Sequence, residues 1–460
     1  MKLGDEVVHA EYGKGTIKRI LPEGPTARVD FGYMEDLVPT ANLKLVKKDI
    51  ANNDINSQPS SNPKNPKTDP SPVKPTVIAP PLGGLSKGVA NARRAIVALR
   101  LGQVLESHVA ELSVGLEKAL EQIGKALDQA QKQKATFVMV EGAWGGGKTH
   151  ILTLLTGTAA KRGFACSSIV LDGVGVTLSE PKQLMVSIIG SLRFPGDILP
   201  GGIANHLASA KRQDTIELLN QQGSRILHTA LIKLPQAVFA DPDAVHIIED
   251  YMSLCLPASR ATSQLMQLGY CRIALPALLS QGGFMRFGDL LSDWAQLCVA
   301  FGFRGLVVVL DELDVEYAKT IRGSQQSTIR RNRRSHLLEV MRSLRKDRVP
   351  LVLAFASAPA GGGVDPENDA AYNIPQMLGG IDESIQAPIP SEEDIKNLCG
   401  KVIKLYGQAY PDSFPDMENY RVKSIANLLV EWYGSQMNPV PRYLVRSVLE
   451  VLDITSQIPS

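Results

Sequence analysis

The stretch that most constrains this chain is "FVMVEGAWGGGKTHILTLL", Phe137–Leu155. It opens as an apolar strand, passes through four glycines and a tryptophan, and closes as a helix. Gly142-x-x-x-x-Gly147-Lys148-Thr149 fits the phosphate-loop pattern in full, and the strand before it and the helix after it are the context that pattern requires. Such a backbone has to curl round a phosphate with its N–H groups pointing inward, and side chains would block the approach. The start of the helix adds the positive end of its dipole. Gly142, Ala143, Trp144, Gly145, Gly146, Gly147, Lys148 and Thr149 are therefore expected to hold ATP. Lys148 would reach the β- and γ-phosphates and the Thr149 hydroxyl would bind Mg2+. Trp144 is unusual in such a loop. It either packs beneath the loop or faces a neighbouring subunit or nucleic acid, and packing is the favoured reading.

A phosphate loop needs a metal-holding acid at the tip of another strand. "GLVVVLDELD" supplies one: Leu306 to Leu310 form an apolar run that ends in Asp311 and Glu312. Asp311 is expected to hold Mg2+ through water, and Glu312 to orient or deprotonate the attacking water. A strand ending in acids is common by itself, so the assignment gains its force from the loop. Glu312 favours hydrolysis over binding alone.

Around this pair the chain alternates strands and helices. "ATFVMVEG", "FACSSIVLDG", "RGLVVVLDELD" and "PLVLAFASAP" read as strands, which implies a mostly parallel α/β sheet. Two helices, "NARRAIVALRLGQVL" and "VGLEKALEQIGKALDQAQKQ", precede the loop, and the chain turns helical again after "PIPSEED". From Lys148 to Asp311 is 163 residues. A minimal core needs far fewer, so the helical block at about 181–300 reads as an inserted subdomain, or more plainly as an extension of the core. Residues 85–390 form the expected core and 391–460 a helical C-terminal lid.

The first 48 residues differ in kind. "EVVHA", "GTIKRIL", "TARVDFG" and "EDLVPT" read as four short strands joined by turn residues. They suggest a small all-β barrel of the SH3 or Tudor kind. It resembles the C-terminal domain of UvrD-type helicases and the barrel of CarD-type polymerase binders. Tyr12, Phe31 and Tyr33 are either a contact patch or part of its core. Residues 49–84 are rich in Asn, Ser, Pro and Lys and too poor in large apolar residues to pack, so they read as a disordered, semi-extended linker.

Composition excludes several classes. The five cysteines lie far apart with no Cys-x-x-Cys pair, which argues against a zinc ribbon or disulfide scaffold and fits a reducing cytosol. No apolar run approaches the ~20 residues of a membrane span. The expectation is a soluble, cytoplasmic protein. A formal net charge of +2 neither demands nor excludes nucleic acid.

The segments "ARRAIVALRLGQVL", "ELSVGLEKALEQI", "FVMVEGAWGGGKTHILTLL", "LSEPKQLMVSIIGSL" and "GLVVVLDELD" together resemble the BREX-type ATP-binding proteins. These are AAA+ ATPases of the Orc/Cdc6 branch that act in prokaryotic anti-phage defence. His150, after Lys-Thr, is part of the likeness and joins the nucleotide-binding segment. The chain departs from the family at Gly115-Leu116-Glu117, where a glycine-arginine pair is often found; Arg93, Arg94 and Arg100 lie near enough to substitute. The resemblance implies an ATPase working beside a helicase or nuclease partner on foreign DNA. It also implies a γ-phosphate-sensing role for Ser357, which is equally a serine in a tight turn. Arg442 in "NPVPRYLVRSVLE" matches a second-sensor arginine, with Arg446 in reserve and an exposed helix arginine as the plain alternative.

One charge run stands out. "TIRRNRRSHLLEVMRSLRKDR" carries Arg330, Arg331, Arg333 and Arg334 in its first part. Arginines of this kind bind phosphates bidentately. The run is read as a DNA backbone contact, as a trans-acting finger in a homo-oligomer, or as a solvated face. Two functional classes stay open: an ATP-hydrolysing motor or switch, and a nucleotide-stabilised scaffold or DNA-binding adaptor with little turnover. A small-molecule kinase fits less well, because no arginine-rich kinase lid follows at short spacing.

Overall fold

The computed structural model describes residues 6–9, 13–20, 26–30, 35–39, 43–45, 86–143, 145–197, 203–209, 212–222, 226–271, 273–279, 286–313, 325–346, 348–357, 374–411, 424, 427, 428, 431 and 441–456. By internal contacts the chain divides into Met1–Ala79 and Pro80–Ser460. The linker at 49–84, Trp144 and the aromatic residues Tyr12, Phe31 and Tyr33 lie outside the described residues.

The N-terminal unit carries strands β1 (Glu6–His9), β2 (Gly13–Ile20), β3 (Thr26–Asp30), β4 (Glu35–Pro39) and β5 (Leu43–Leu45). They pair antiparallel in the order β4-β3-β2-β1-β5. The fifth strand, three residues long, was not expected from the sequence.

The second unit is a mixed α/β fold on a parallel sheet. Its strands are β6 (Thr136–Glu141), β7 (Ala165–Val170), β8 (Leu306–Asp311), β9 (Leu351–Ser357) and β10 (Glu383–Gln386), in the order β10-β6-β9-β8-β7. All four pairings are parallel. Side chains alternate across the sheet with period two. Phe137, Met139, Val308, Leu310, Leu353 and Phe355 enter one buried cluster. Val138, Val140, Val307, Val309, Val352 and Ala354 enter another on the opposite face. Burial on both faces is why these strands read as unbroken apolar runs.

Helices α1 (Lys87–Arg100), α2 (Glu106–Leu112), α3 (Glu117–Gln131) and α4 (Lys148–Lys161) flank the loop. The residues expected to form an insertion hold α5 (Pro181–Gly190), α6 (Ile203–Ser209), α7 (Arg212–Gln222), α8 (Ile226–Ile232), α9 (Pro242–Met252), α10 (Ala258–Gln267) and α11 (Phe287–Ala300). They share one cluster with the sheet: Leu184, Leu227, Ile248, Leu265 and Trp294 pack with Phe137 and Phe355. The block extends the core and is not a body of its own. Buried Asp293 fixes part of it by accepting from the Ile226 and Leu227 N–H groups at 2.7 and 2.8 Å, which starts α8.

After β8 come α12 (Gln325–Arg342), α13 (Ile374–Met377), α14 (Glu392–Ala409) and α15 (Pro441–Ser456). A third cluster joins Ile395, Val402 and Leu405 of α14 to Leu444, Val448 and Leu452 of α15 and to Ala92, Ile96 and Leu99 of α1. The C-terminal helices thus pack with α1, from within residues 85–390, in one helical cluster, here called the lid.

Arg345 fastens the edge strand β10 in place. It lies over the Phe137 ring at 4.4 Å, donates to the Leu378 carbonyl at 2.9 Å and pairs with Asp382 at 3.0 Å. Asp382 also accepts from the Phe137 N–H at 2.9 Å. Burial pushes the Asp382 carboxyl up, but the Phe137 N–H and Arg345 outweigh it and hold the group below its ordinary range. Arg345→Ala should cost about 2 kcal/mol of stability at neutral pH. Because the folded-state value is depressed, that contribution is present above the unfolded carboxylate range and fades as pH falls through the folded one. Urea denaturation of wild type and variant at pH 7 and pH 3 checks both: the difference should shrink in acid.

Candidate functional site: a cleft between the phosphate loop and the lid

Each loop glycine has a local reason. At Gly142 a Cβ would stand 2.6 Å from the Ala387 Cβ, so only glycine lets the loop leave β6 beside the end of β10. Gly145 and Gly147 have φ of +74° and +99°, a region other residues enter at a cost. Gly147 directly precedes α4, whose first residue is Lys148. The lysine is 9% exposed, and its Nζ donates to the Gly142 carbonyl at 3.0 Å and the Ala143 carbonyl at 3.4 Å. Its cation therefore lies inside the curl of the loop.

Thr149 Oγ1 donates to Asp311 Oδ2 at 2.7 Å. This bond joins the start of α4 to the tip of β8 across the intervening β9. Asp311 is 6% exposed, and its other oxygen accepts from the Glu312 N–H at 2.8 Å. Glu312 has φ of +58°, a strained conformation for a residue with a side chain, and it lines the same cleft. The bent backbone takes the chain off the strand axis at the acid pair. A hydroxyl and a buried carboxylate in contact are a donor set that fits Mg2+, which accepts few protein ligands and completes its octahedron with phosphate and water oxygens. Among the described residues no group of three or more His, Cys, Asp or Glu forms a self-sufficient metal cage.

The cleft has a volume of about 390 Å³. Its lining includes the polar or loop residues Gly145, Gly146, Gly147, Lys148, Thr149, His150, Asp311 and Glu312, and the apolar residues Val104, Leu112, Val114, Pro388, Leu398 and Val445. Sequence reading missed this apolar lining. Its residues come from five separated segments, and nothing local marks them as neighbours.

The remaining expected residues divide. Arg442 lines the cleft from α15, against Gly102: a Cβ there would meet Arg442 Nε at 2.9 Å, and the φ of +74° also calls for glycine. Arg446, one turn on, is exposed and outside the cleft lining. Ser357 ends β9 on the same rim, where its carbonyl accepts from the Gly142 N–H at 3.3 Å, but it does not line the cleft. The basic helix does not present four arginines to one surface. Arg330 is exposed, Arg331 is half-buried, Arg333 pairs with Glu180 at 2.7 Å, and Arg334 is 1% exposed. Buried Arg334 is turned away from the surface that Arg330 and Arg333 share with solvent.

His150 lies at the start of α4, with Nε2 2.8 Å from Ser113 Oγ. Burial, and after it the Lys401 cation, push its pKa down to about 4. A folded value below the unfolded one means the unfolded chain takes up the proton first as pH falls. Stability is then complete above about 6.5 and declines toward pH 4. His150→Gln should show a shallower loss of thermal stability than wild type across that window. Equal slopes would mean that the imidazole titrates freely.

No curated protein matches the chain. Among solved structures, Drosophila ORC bound to DNA is similar at a TM-score of 0.33 and 13% identity, covering 85% of this chain and 66% of that one. The ORC2 protein of Aeropyrum pernix in ADPNP-ADP complexes gives 0.27 and 12%, covering 75% and 68%. The HORMA:CdnC:Trip13 complex of E. coli MS115-1 gives 0.29 and 10%, covering 75% and 91%. Nothing about function follows from likenesses this loose. A family model matches more locally: residues 89–189, from α1 through the phosphate loop to the end of α5, are similar to the BREX system ATP-binding protein BrxC/D.

Proposed function

We propose that this protein binds ATP in the cleft and hydrolyses it. The observation that carries the reading is the Thr149–Asp311 contact at the mouth of the glycine loop, with Glu312 beside it. In this account Lys148 turns from the loop carbonyls to the phosphates, and the loop N–H groups and the start of α4 hold their charge. Mg2+, when bound, neutralises charge that develops on the phosphate oxygens. Thr149 and Asp311 are the residues that would hold it. Glu312 accepts a proton from the attacking water. The water oxygen bonds to the γ-phosphorus, the bond to the β-γ bridging oxygen breaks, and ADP and phosphate leave. Arg442, on the lid, faces the same cleft and is suited to sensing the γ-phosphate. Ser357 is assigned a lesser role, positioning the loop through its backbone. The apolar residues of the lining suit a purine base.

We further infer a role in prokaryotic anti-phage defence beside a DNA-processing partner, a helicase or a nuclease. The match of residues 89–189 to a BREX ATP-binding family supports it. In this setting the N-terminal unit recruits the partner, and any DNA contact from α12 falls to Arg330 and, at the expense of its ion pair, Arg333.

Glu312→Gln should retain ATP affinity and lose hydrolysis by about a hundredfold or more, because the shape stays and the base is gone. Lys148→Ala should weaken binding itself. Equilibrium binding and steady-state phosphate release on both variants separate these effects; full turnover by Glu312→Gln would leave a nucleotide-stabilised scaffold as the better reading.

Deleting residues 1–84 should leave nucleotide binding and basal hydrolysis nearly unchanged while abolishing protection in a phage-challenge assay with the neighbouring genes present. Loss of hydrolysis in the truncated chain would show that the two units work as one.

A further inference from the structure

The lid and the phosphate-loop helix meet at one serine. Ser113 closes α2, and its hydroxyl donates to the Val109 carbonyl at 2.7 Å. Its single proton is then used, so at 2.8 Å it accepts from His150 Nε2–H on α4. The backbone carbonyl of the same serine accepts from Lys401 Nζ of lid helix α14 at 2.7 Å. Ser113 is thus held by α4 at one end and by α14 at the other.

The next residues strengthen the grip. Gly115, with φ of +64°, approaches α14 so closely that a Cβ would stand 2.8 Å from Asp394 Oδ2. Asp394 cannot withdraw cheaply, because it forms the capping box of α14 with Ser391. Between and beyond these anchors, Val114 and Leu116 face the cleft, as do Thr149 and His150. The strap at 113–116 is therefore clasped by the lid on one side and forms a wall of the cleft on the other.

We propose that Ser113 is a positioning residue that couples the lid to the phosphate loop, so that the Lys401–Ser113–His150 chain sets how tightly the cleft holds a nucleotide. This rests on the nucleotide reading of the cleft. If the lid helix moves, it draws the Ser113 carbonyl, and the hydroxyl of the same residue moves the first turn of α4, where Lys148 and Thr149 sit. Either bond alone transmits nothing, so the two work in series.

A double-mutant cycle on the full-length chain tests this, using calorimetric titration with MgADP and with a non-hydrolysable Mg-ATP analogue. Ser113→Ala and Lys401→Met should each weaken binding about fivefold, the worth of one lost hydrogen bond. The double variant should also be weakened about fivefold, because a chain in series is already open after one break. Lys401→Arg should restore affinity to within about twofold, since it keeps the donor. In turnover the effect should fall on KM, with kcat at saturating ATP far less affected. Unchanged affinity in the single variants, losses that multiply to about 25-fold in the double, or no rescue by Lys401→Arg would overturn the coupling. A general electrostatic effect of Lys401 on the phosphates would appear as that multiplication. If Ser113→Ala does not fold, Lys401→Met against Lys401→Arg reads the same link. A wild-type protein that binds neither nucleotide would overturn the nucleotide reading itself, a result distinct from variants that bind as wild type does.

Discussion

The hydrogen bond between Thr149 and Asp311 is the constraint on which the cleft depends. Its partners are 162 residues apart in sequence. Thr149 opens the helix that follows β6 and Asp311 ends β8, and these two strands are not neighbours, because β9 lies between them. The chain makes β9 only after it has made β8. The two oxygens can therefore meet only when the helical block from α5 to α11 has folded back on one face of the sheet and β9 has paired on both of its edges. A site that forms only once the whole sheet is assembled cannot bind its ligand in a half-folded chain. Everything bound there is linked to the stability of the entire second unit.

The lid has a comparable logic. It is built from both ends of the second unit, with α1 preceding the core and α14 and α15 following it. Two chain crossings therefore connect it to the sheet, through the segments near Gly102 and Pro388. At the first, Arg442 packs on Gly102; at the second, Ala387 packs on Gly142. Both contacts require a residue without a side chain, and both place the connection directly beside a residue of the cleft. The Ser113 strap adds a third point of contact, through Lys401 of α14.

What was legible in the sequence was the local pattern, and what was not was the assembly. The glycine pattern, the apolar run into Asp311 and Glu312, and the alternation of strands and helices are local signals, and the residues they named stand together. Arg442 is singled out by the likeness of its Pro-Arg setting to that of a second-sensor arginine, and it lines the cleft. Strand β10 was missed since Glu383–Gln386 is four residues long and buries Ile385 alone; its place is fixed from afar by Arg345 and Asp382. The membership of α1 in the lid was missed because helical spacing reveals an apolar face and not what covers it. The basic run misled for a related reason. Composition counts arginines but does not say that one turn of α12 puts Arg334 in the interior while Arg333 meets Glu180.

The central claim is that Thr149 and Asp311 form a metal-dependent nucleotide site, and calorimetric titration of ATP into the protein with and without Mg2+ tests it most directly. For wild type, Mg2+ should tighten binding by about tenfold or more, equivalent to ~1.4 kcal/mol. For Asp311→Asn, which keeps the shape and a hydrogen-bonding oxygen for Thr149, that gain should vanish while metal-free affinity changes little. Binding that is indifferent to Mg2+ in wild type, or an Asp311→Asn protein that retains the full metal effect, would contradict the account.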